Sequence, residues 1–245
     1  MRQLRLAFGF LTILPSRLRE APQPGDMGRA ADCFPWVGLV IGCIVWAVKW
    51  GLDQTFPTLL SAGLCVALWA VLTGGLHLDG LADCCDGLLN AATPARRLEI
   101  MKDPRLGSFG GIGLVLHLLL KTLALASLSA IPAVWGILLA PTLARWLILL
   151  AGRQPLARPD GMGADFSLGL RTRSFFLAAI LPIGLIIIGG WRALLAVILA
   201  HLAAWGIFRL ARNRLGGLTG DVFGLTVEVA ELVVLLTFVV RLRLT

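Results

Sequence analysis

Phe34-Pro35-Trp36-Val37-Gly38-Leu39-Val40-Ile41-Gly42-Cys43-Ile44-Val45-Trp46-Ala47-Val48-Lys49-Trp50-Gly51-Leu52 is almost wholly apolar. An α-helix needs about 20 such residues to cross a bilayer, so this stretch reads as a membrane span. Six more runs of the same kind follow, near 57–75, 109–131, 132–151, 174–190, 191–208 and 222–240. Turn chemistry separates them at Pro22-Gln23-Pro24-Gly25, Asp53-Gln54-Thr55, Ile131-Pro132 and Gly189-Gly190. The expected fold is all-α: a polytopic integral membrane bundle of about seven transmembrane helices, in one domain over residues 1–245. The composition agrees, with 58% hydrophobic and 15% charged residues and a mean hydropathy of +0.85, too apolar for an ordinary soluble domain.

The net charge of +8 is concentrated in connections. Alternating spans place 76–108, 152–173, 209–221 and the N-terminal segment on one side. That side carries Arg2, Arg5, Arg17, Arg19, Arg29, Arg96, Arg97, Lys102, Arg105, Arg153, Arg158, Arg171, Arg173, Arg209, Arg212 and Arg214. The positive-inside rule makes this side cytoplasmic, with Arg241 and Arg243 as exceptions, and it accounts for the charge without nucleic acid. Met1 to Pro15 resembles a signal peptide, yet Ser16-Arg17-Leu18-Arg19 stands where a small-residue cleavage site belongs. It reads as an uncleaved interfacial segment. Cys33, Cys43, Cys65, Cys84 and Cys85 form no CxxC pair and give no sign of a disulfide framework or zinc site.

Against this background, Gly75-Leu76-His77-Leu78-Asp79-Gly80-Leu81-Ala82-Asp83-Cys84-Cys85-Asp86-Gly87 stands out. In a helix Asp79, Asp83 and Asp86 fall at i, i+4 and i+7, on one face. Carboxylates that close repel unless a cation lies between them, and an all-oxygen set suits Mg2+, which keeps part of its water shell and binds substrate phosphates. His77 points away from the Asp79 face unless the helix starts after it, in which case it could act as acid or base. Downstream, Met101-Lys102-Asp103-Pro104-Arg105-Leu106-Gly107-Ser108 is basic and glycine-bearing. Lys102 and Arg105 could neutralise a phosphate that the backbone at Gly107 approaches.

A second acidic group, Asp221 with Glu228 and Glu231, forms a stripe that starts at the membrane edge and dips into the last run. Ionisable groups in a span normally face a bundle interior or watery cavity. Arg145, within the fourth run, could answer one of these carboxylates or a substrate phosphate. His117 and His201 read as interhelical hydrogen-bonders, and Lys121 as a residue that snorkels to the interface.

Taken together, these motifs resemble the cobalamin synthase family, the adenosylcobinamide-GDP ribazoletransferases. The resemblance rests on Phe10-Leu11-Thr12-Ile13-Leu14-Pro15, Phe34-Pro35-Trp36-Val37-Gly38, His77-Leu78-Asp79-Gly80-Leu81-Ala82-Asp83 with Asp86-Gly87, and Met101-Lys102-Asp103-Pro104-Arg105-Leu106-Gly107. It continues through Arg145-Trp146, Gly161-Met162-Gly163 and Gly217-Leu218-Thr219-Gly220-Asp221 with Glu228 and Glu231.

It implies a bacterial inner-membrane enzyme with a cytoplasmic site. The implied reaction is Mg2+-dependent transfer of the cobinamide phosphate of adenosylcobinamide-GDP to alpha-ribazole or its 5'-phosphate, releasing GMP. On that reading Asp79, Asp83 and Asp86 hold the metal, while Lys102, Arg105, Gly107 and Arg145 meet phosphate charge. Asp103 or Asp221 orients the attacking hydroxyl, and Glu228 and Glu231 bind a second metal or order Arg145. An oligomer is open.

Two rivals fit less well. A CDP-alcohol phosphotransferase needs an Ala-Arg pair after its first Asp-Gly, where this chain has Ala82-Asp83. A cation transporter favours ionisable groups at mid-bilayer in paired half-helices, whereas the strongest cluster here lies in a connection.

Overall fold

The computed structural model describes residues 1–16 and 21–240; the expectations placed on Arg17, Arg19, Arg241 and Arg243 fall outside them. Helix α1 (Arg2–Leu11) buries Leu6, Ala7 and Leu11 and exposes Arg2 and Arg5, the amphipathic pattern of an interfacial helix. A short α2 (Asp26–Arg29) follows. Buried Asp26 binds Arg2 at 2.5 Å and Arg29 at 2.6 Å, tying α1 to α2. These hydrogen bonds hold its carboxyl well below the usual carboxylate range.

Next come α3 (Phe34–Leu52), α4 (Thr58–Leu72), α5 (Leu76–Leu89), α6 (Pro94–Ile100), α7 (Ser108–Ser127) and α8 (Ala130–Ala151). The chain ends with α9 (Met162–Gly169), α10 (Thr172–Leu215) and α11 (Gly220–Val239). By length and apolarity, α3, α7, α8, α10 and α11 are able to cross a membrane.

The 44-residue α10 is broken at Gly190, whose φ of 69° lies in the left-handed region. Trp146 shows what the break does. Its indole N–H donates to the Phe175 carbonyl at 3.2 Å, and its ring lies 5.3 Å from that of His201. In a straight helix residues 175 and 201 would stand about 39 Å apart, so α10 folds back on itself as two passes. Helix α4 bends into α5 by 93° through Gly74 and Gly75, with φ of 61° and 70°. At 14 residues α5 is about 21 Å long, too short to span alone, and it lies crosswise to α4. Counting both arms of α10, and α4 as the crossing part of the bent pair, gives close to the expected seven passes.

Close backbone crossings set the bundle. A β-carbon on Gly38 would stand 2.3 Å from the Pro141 carbonyl oxygen, and one on Gly42 2.8 Å from that of Ile137. Small residues thus let α3 press against α8, at the carbonyl that Pro141, lacking an N–H, leaves without its helical partner.

The polar connections gather at one end. Arg214 donates to the Leu88 carbonyl and Arg97 to that of Arg214. Arg158 donates to the Leu98 carbonyl, and residues 155–157 pair with Leu218. Two sequence expectations change. The connection 152–173 contains a helix, α9, and the break between the third and fourth runs falls at Leu128-Ser129, three residues before Ile131-Pro132.

Candidate active site

Helix α5 carries Asp79, Asp83 and Asp86 at the expected helical spacing, and α11 brings a fourth carboxylate to them. A β-carbon on Gly80 would meet the Asp221 carbonyl oxygen at 2.7 Å, and one on Gly224 the His77 carbonyl oxygen at 3.1 Å. The two helices therefore cross backbone to backbone, which places Asp221, in the first turn of α11, beside Asp79 and Asp83. Thr219 caps this helix: its hydroxyl accepts from Val222 N–H and lies 3.1 Å from an Asp221 carboxylate oxygen. Burial first, then the negative charges of Asp221, Asp79 and Asp86, push the Asp83 carboxyl up to about 7, against the pull of Arg158. Among the described residues no three acidic, histidine or cysteine side chains already converge as a metal cage.

Asp86 has a different occupation. Its two oxygens accept the N–H groups of Gly107 and Gly110, each at 2.9 Å, so it caps the N-terminus of α7 with a full negative charge. The Gly107 N–H thereby faces a carboxylate. Lys102 is exposed, and Arg105 is paired with Asp103 at 2.6 Å on the surface. Hydrogen bonds from Arg105 hold the Asp103 carboxyl down at about 2, an environment that makes it a poor base. None of Lys102, Asp103 and Arg105 lines the two cavities described below.

Glu228 and Glu231 lie two and three turns deeper along α11, in a buried ionic network. Lys121 of α7 reaches Glu228 at 2.8 Å and Glu231 at 2.5 Å. His117 meets Glu228 at 2.7 Å, Arg145 of α8 pairs with Glu231, and the Lys121 ammonium sits 4.4 Å from the centre of the Trp69 ring. Two cations and two carboxylates balance. Lys121, expected to snorkel, is instead 3% exposed, because two carboxylates wait for it in the interior. Arg145 answers a carboxylate, as one of its two expectations held.

His77 lies in the first turn of α5, which starts before it at Leu76, so the condition for it to share the Asp79 face is not met. It is 4% exposed, and its Nε2 has no hydrogen-bond partner in the structure.

Two cavities flank Asp221. One, with about 540 Å³ of open space including its mouth, is bordered by Phe10, His77, Asp79, Phe166, Asp221 and Phe223. The other, about 630 Å³ on the same measure, is bordered by Arg158, Asp160, Thr219, Asp221 and the backbone of Gly161 and Gly163. Met162, Gly163, Gly220 and Asp221 belong to both walls. The second cavity is held in shape by a bridge in which Ala157 N–H donates to Leu218 and Leu218 N–H to Pro155, each at 2.8 Å. A β-carbon on Gly217 would strike Leu156 there at 2.5 Å.

Arg158 is the arginine that faces the acids, and it was legible only as one of several in a basic loop. The aromatic wall was not legible: Phe10, Phe166 and Phe223 come from three distant segments.

No solved structure matches this chain. A protein-family model described as cobalamin-5-phosphate synthase matches residues 3–239. Proteins called adenosylcobinamide-GDP ribazoletransferase from Pseudomonas aeruginosa, Stutzerimonas stutzeri and Desulfitobacterium hafniense are 44%, 42% and 39% identical to it, each over 96% of both chains. That match takes in every helix from α3 to α11, and the chain belongs to the cobalamin-5-phosphate synthase family.

Proposed function

We propose that this protein is a membrane-embedded adenosylcobinamide-GDP ribazoletransferase that completes the nucleotide loop of cobalamin. A ribose hydroxyl of alpha-ribazole, or of its 5'-phosphate, attacks the cobinamide phosphorus. A new phosphorus–oxygen bond forms, the pyrophosphate bond breaks, and GMP leaves with the electron pair. The carrying observation is the meeting of two cavities at one carboxylate, Asp221, beside Asp79 and Asp83. A two-substrate transfer needs such a point of contact.

Magnesium fits this donor set. Asp79 and Asp83 offer only oxygen, and the negative charge around Asp83, which adds to burial in pushing its carboxyl up to about 7, is the repulsion a cation relieves. An unfinished cage is compatible, since Mg2+ is commonly held by one or two carboxylates and by substrate phosphates. When bound it would neutralise pyrophosphate charge. Asp86 supports the site by fixing α7, and Glu228 and Glu231 act as counter-ions to Lys121 and Arg145.

Asp221, at the shared wall, orients the hydroxyl and takes its proton. Arg158 and the Gly161–Gly163 backbone meet the nucleotide phosphates. Lys102 and Arg105 supply charge from the exposed loop outside. The basic connections that gather at this end favour the cytoplasmic side of a bacterial inner membrane, where water-soluble substrates arrive and GMP departs.

The test is release of GMP from adenosylcobinamide-GDP by purified, lipid-reconstituted protein, with and without Mg2+ and alpha-ribazole. Release that requires both, with matching cobalamin formation, is the expected result. Folded protein that releases none refutes the assignment.

A further inference from the structure

The two cavities differ in chemistry, and this difference bears on which substrate each one takes. Around the first, Phe166 lies 5.5 Å from Phe34 and 6.0 Å from Phe223, ring centre to ring centre, and Phe34 lies 6.0 Å from Phe10. This chain of rings joins α1, α3, α9 and α11. Three of the four border the cavity, together with Leu76 and Ile148. The polar residues on its border, among the described residues, are His77, Asp79 and Asp221.

From this geometry we infer that the aromatic cavity is the acceptor subsite, holding the flat benzimidazole of alpha-ribazole among Phe10, Phe166 and Phe223, while the Arg158 cavity holds the guanosine and pyrophosphate of the donor. The inference rests on the transferase reading above and assigns each substrate its side of Asp221. A methyl-substituted benzimidazole has an apolar edge and few hydrogen-bonding atoms, so aromatic and aliphatic walls meet most of its needs.

Guanine, with several donors and acceptors, would lose hydrogen bonds to water that these walls do not return. Its pyrophosphate would also meet no cationic side chain among the described residues of this border. The other cavity offers Arg158, Thr219, Asp160 and a glycine-rich backbone, which suit a nucleotide. The attacking hydroxyl of the acceptor then lies toward Asp221.

Steady-state kinetics with both substrates varied tests this. On the unaltered protein, free dimethylbenzimidazole should inhibit competitively against alpha-ribazole and not against adenosylcobinamide-GDP. Phe223→Leu, which thins the aromatic wall, should raise the KM for alpha-ribazole about tenfold. Leu76→Trp, at a half-buried position, should do the same by filling the cavity. Both should leave the KM for the donor within a factor of about two.

Inhibition competitive against the donor, or a donor KM that rises while that of alpha-ribazole stays fixed, overturns the assignment. Because Phe223 lies on α11 and Leu76 on α5, a variant that fails to fold leaves the other to decide the outcome. An enzyme that releases no GMP at all refutes the transferase reading itself; one that releases GMP but shows the reversed pattern refutes only the division of subsites.

Discussion

Gly80 lies so close to Asp221 that any side chain larger than hydrogen would strike the Asp221 carbonyl, only 2.7 Å from an added β-carbon. The absence of a side chain at Gly80 thus fixes where the fourth carboxylate stands. Gly80→Ala should push the first turn of α11 away from α5. Displacements near 1 Å cost about a hundredfold in rate, and a loss of that size is expected while helicity by circular dichroism stays unchanged. A fully active Gly80→Ala protein would show that the crossing does not position Asp221.

Asp79, Asp83 and Asp86 share a face, yet they should separate in their effects. Asp79→Asn should abolish turnover and leave thermal stability nearly intact. Asp86→Ala removes the charge that caps α7 and should lower stability by about 1 kcal/mol with a smaller loss of rate. Paired melting and activity measurements check this; equal behaviour of the two variants would contradict it.

The pH dependence of stability follows from Asp83. Its carboxyl is raised to about 7 in the fold, so the folded state holds this proton more tightly than the unfolded chain does. Its contribution is full below the ordinary carboxylate value of 3.8 and disappears as pH rises through about 7. Without divalent cations the melting temperature should fall across that window. Asp83→Asn should flatten the fall and melt higher than the parent at alkaline pH, although inactive. Added Mg2+ should raise the parent and leave the variant less affected.

The network under the site should be unforgiving. Glu231→Gln deprives both Lys121 and Arg145 of a buried partner, and breaking such a pair costs about 3–5 kcal/mol. Loss of that order in unfolding from detergent micelles is expected. A stable Glu231→Gln protein with normal turnover would mean that water or lipid headgroups reach these cations.

Arg158→Ala should reduce kcat/KM for the donor about a hundredfold, more than Lys102→Ala, because Arg158 borders the second cavity and Lys102 sits exposed on a loop. Equal effects would move the nucleotide toward the α6–α7 loop.

The spans were readable because lipid imposes a length and a composition. The run at 34–52 coincides with α3, and that at 222–240 differs from α11 by two residues at one end and one at the other. Gly189-Gly190 marked the fold-back of α10 because glycine takes the left-handed conformation that reverses a helix. Asp79, Asp83 and Asp221 were readable because carboxylates are costly near lipid. What stayed hidden depends on which faces meet: Lys121 looked free to reach the interface until α11 supplied Glu228 and Glu231. Nothing in the sequence joined Phe10, Phe166 and Phe223, which lie in three distant segments.

Helix α7 grips Asp86 at its first turn and Glu228 and Glu231 farther along, so it is bolted to α5 at one point and to α11 at another. Sliding α5 along α11 would break one set of bolts. The frame that aims the carboxylates is thus separate from α1 and the 156–163 stretch, which supply other walls of the two cavities. Evolution can then reshape those walls for a different base or nucleotide while the aim of the carboxylates stays the same.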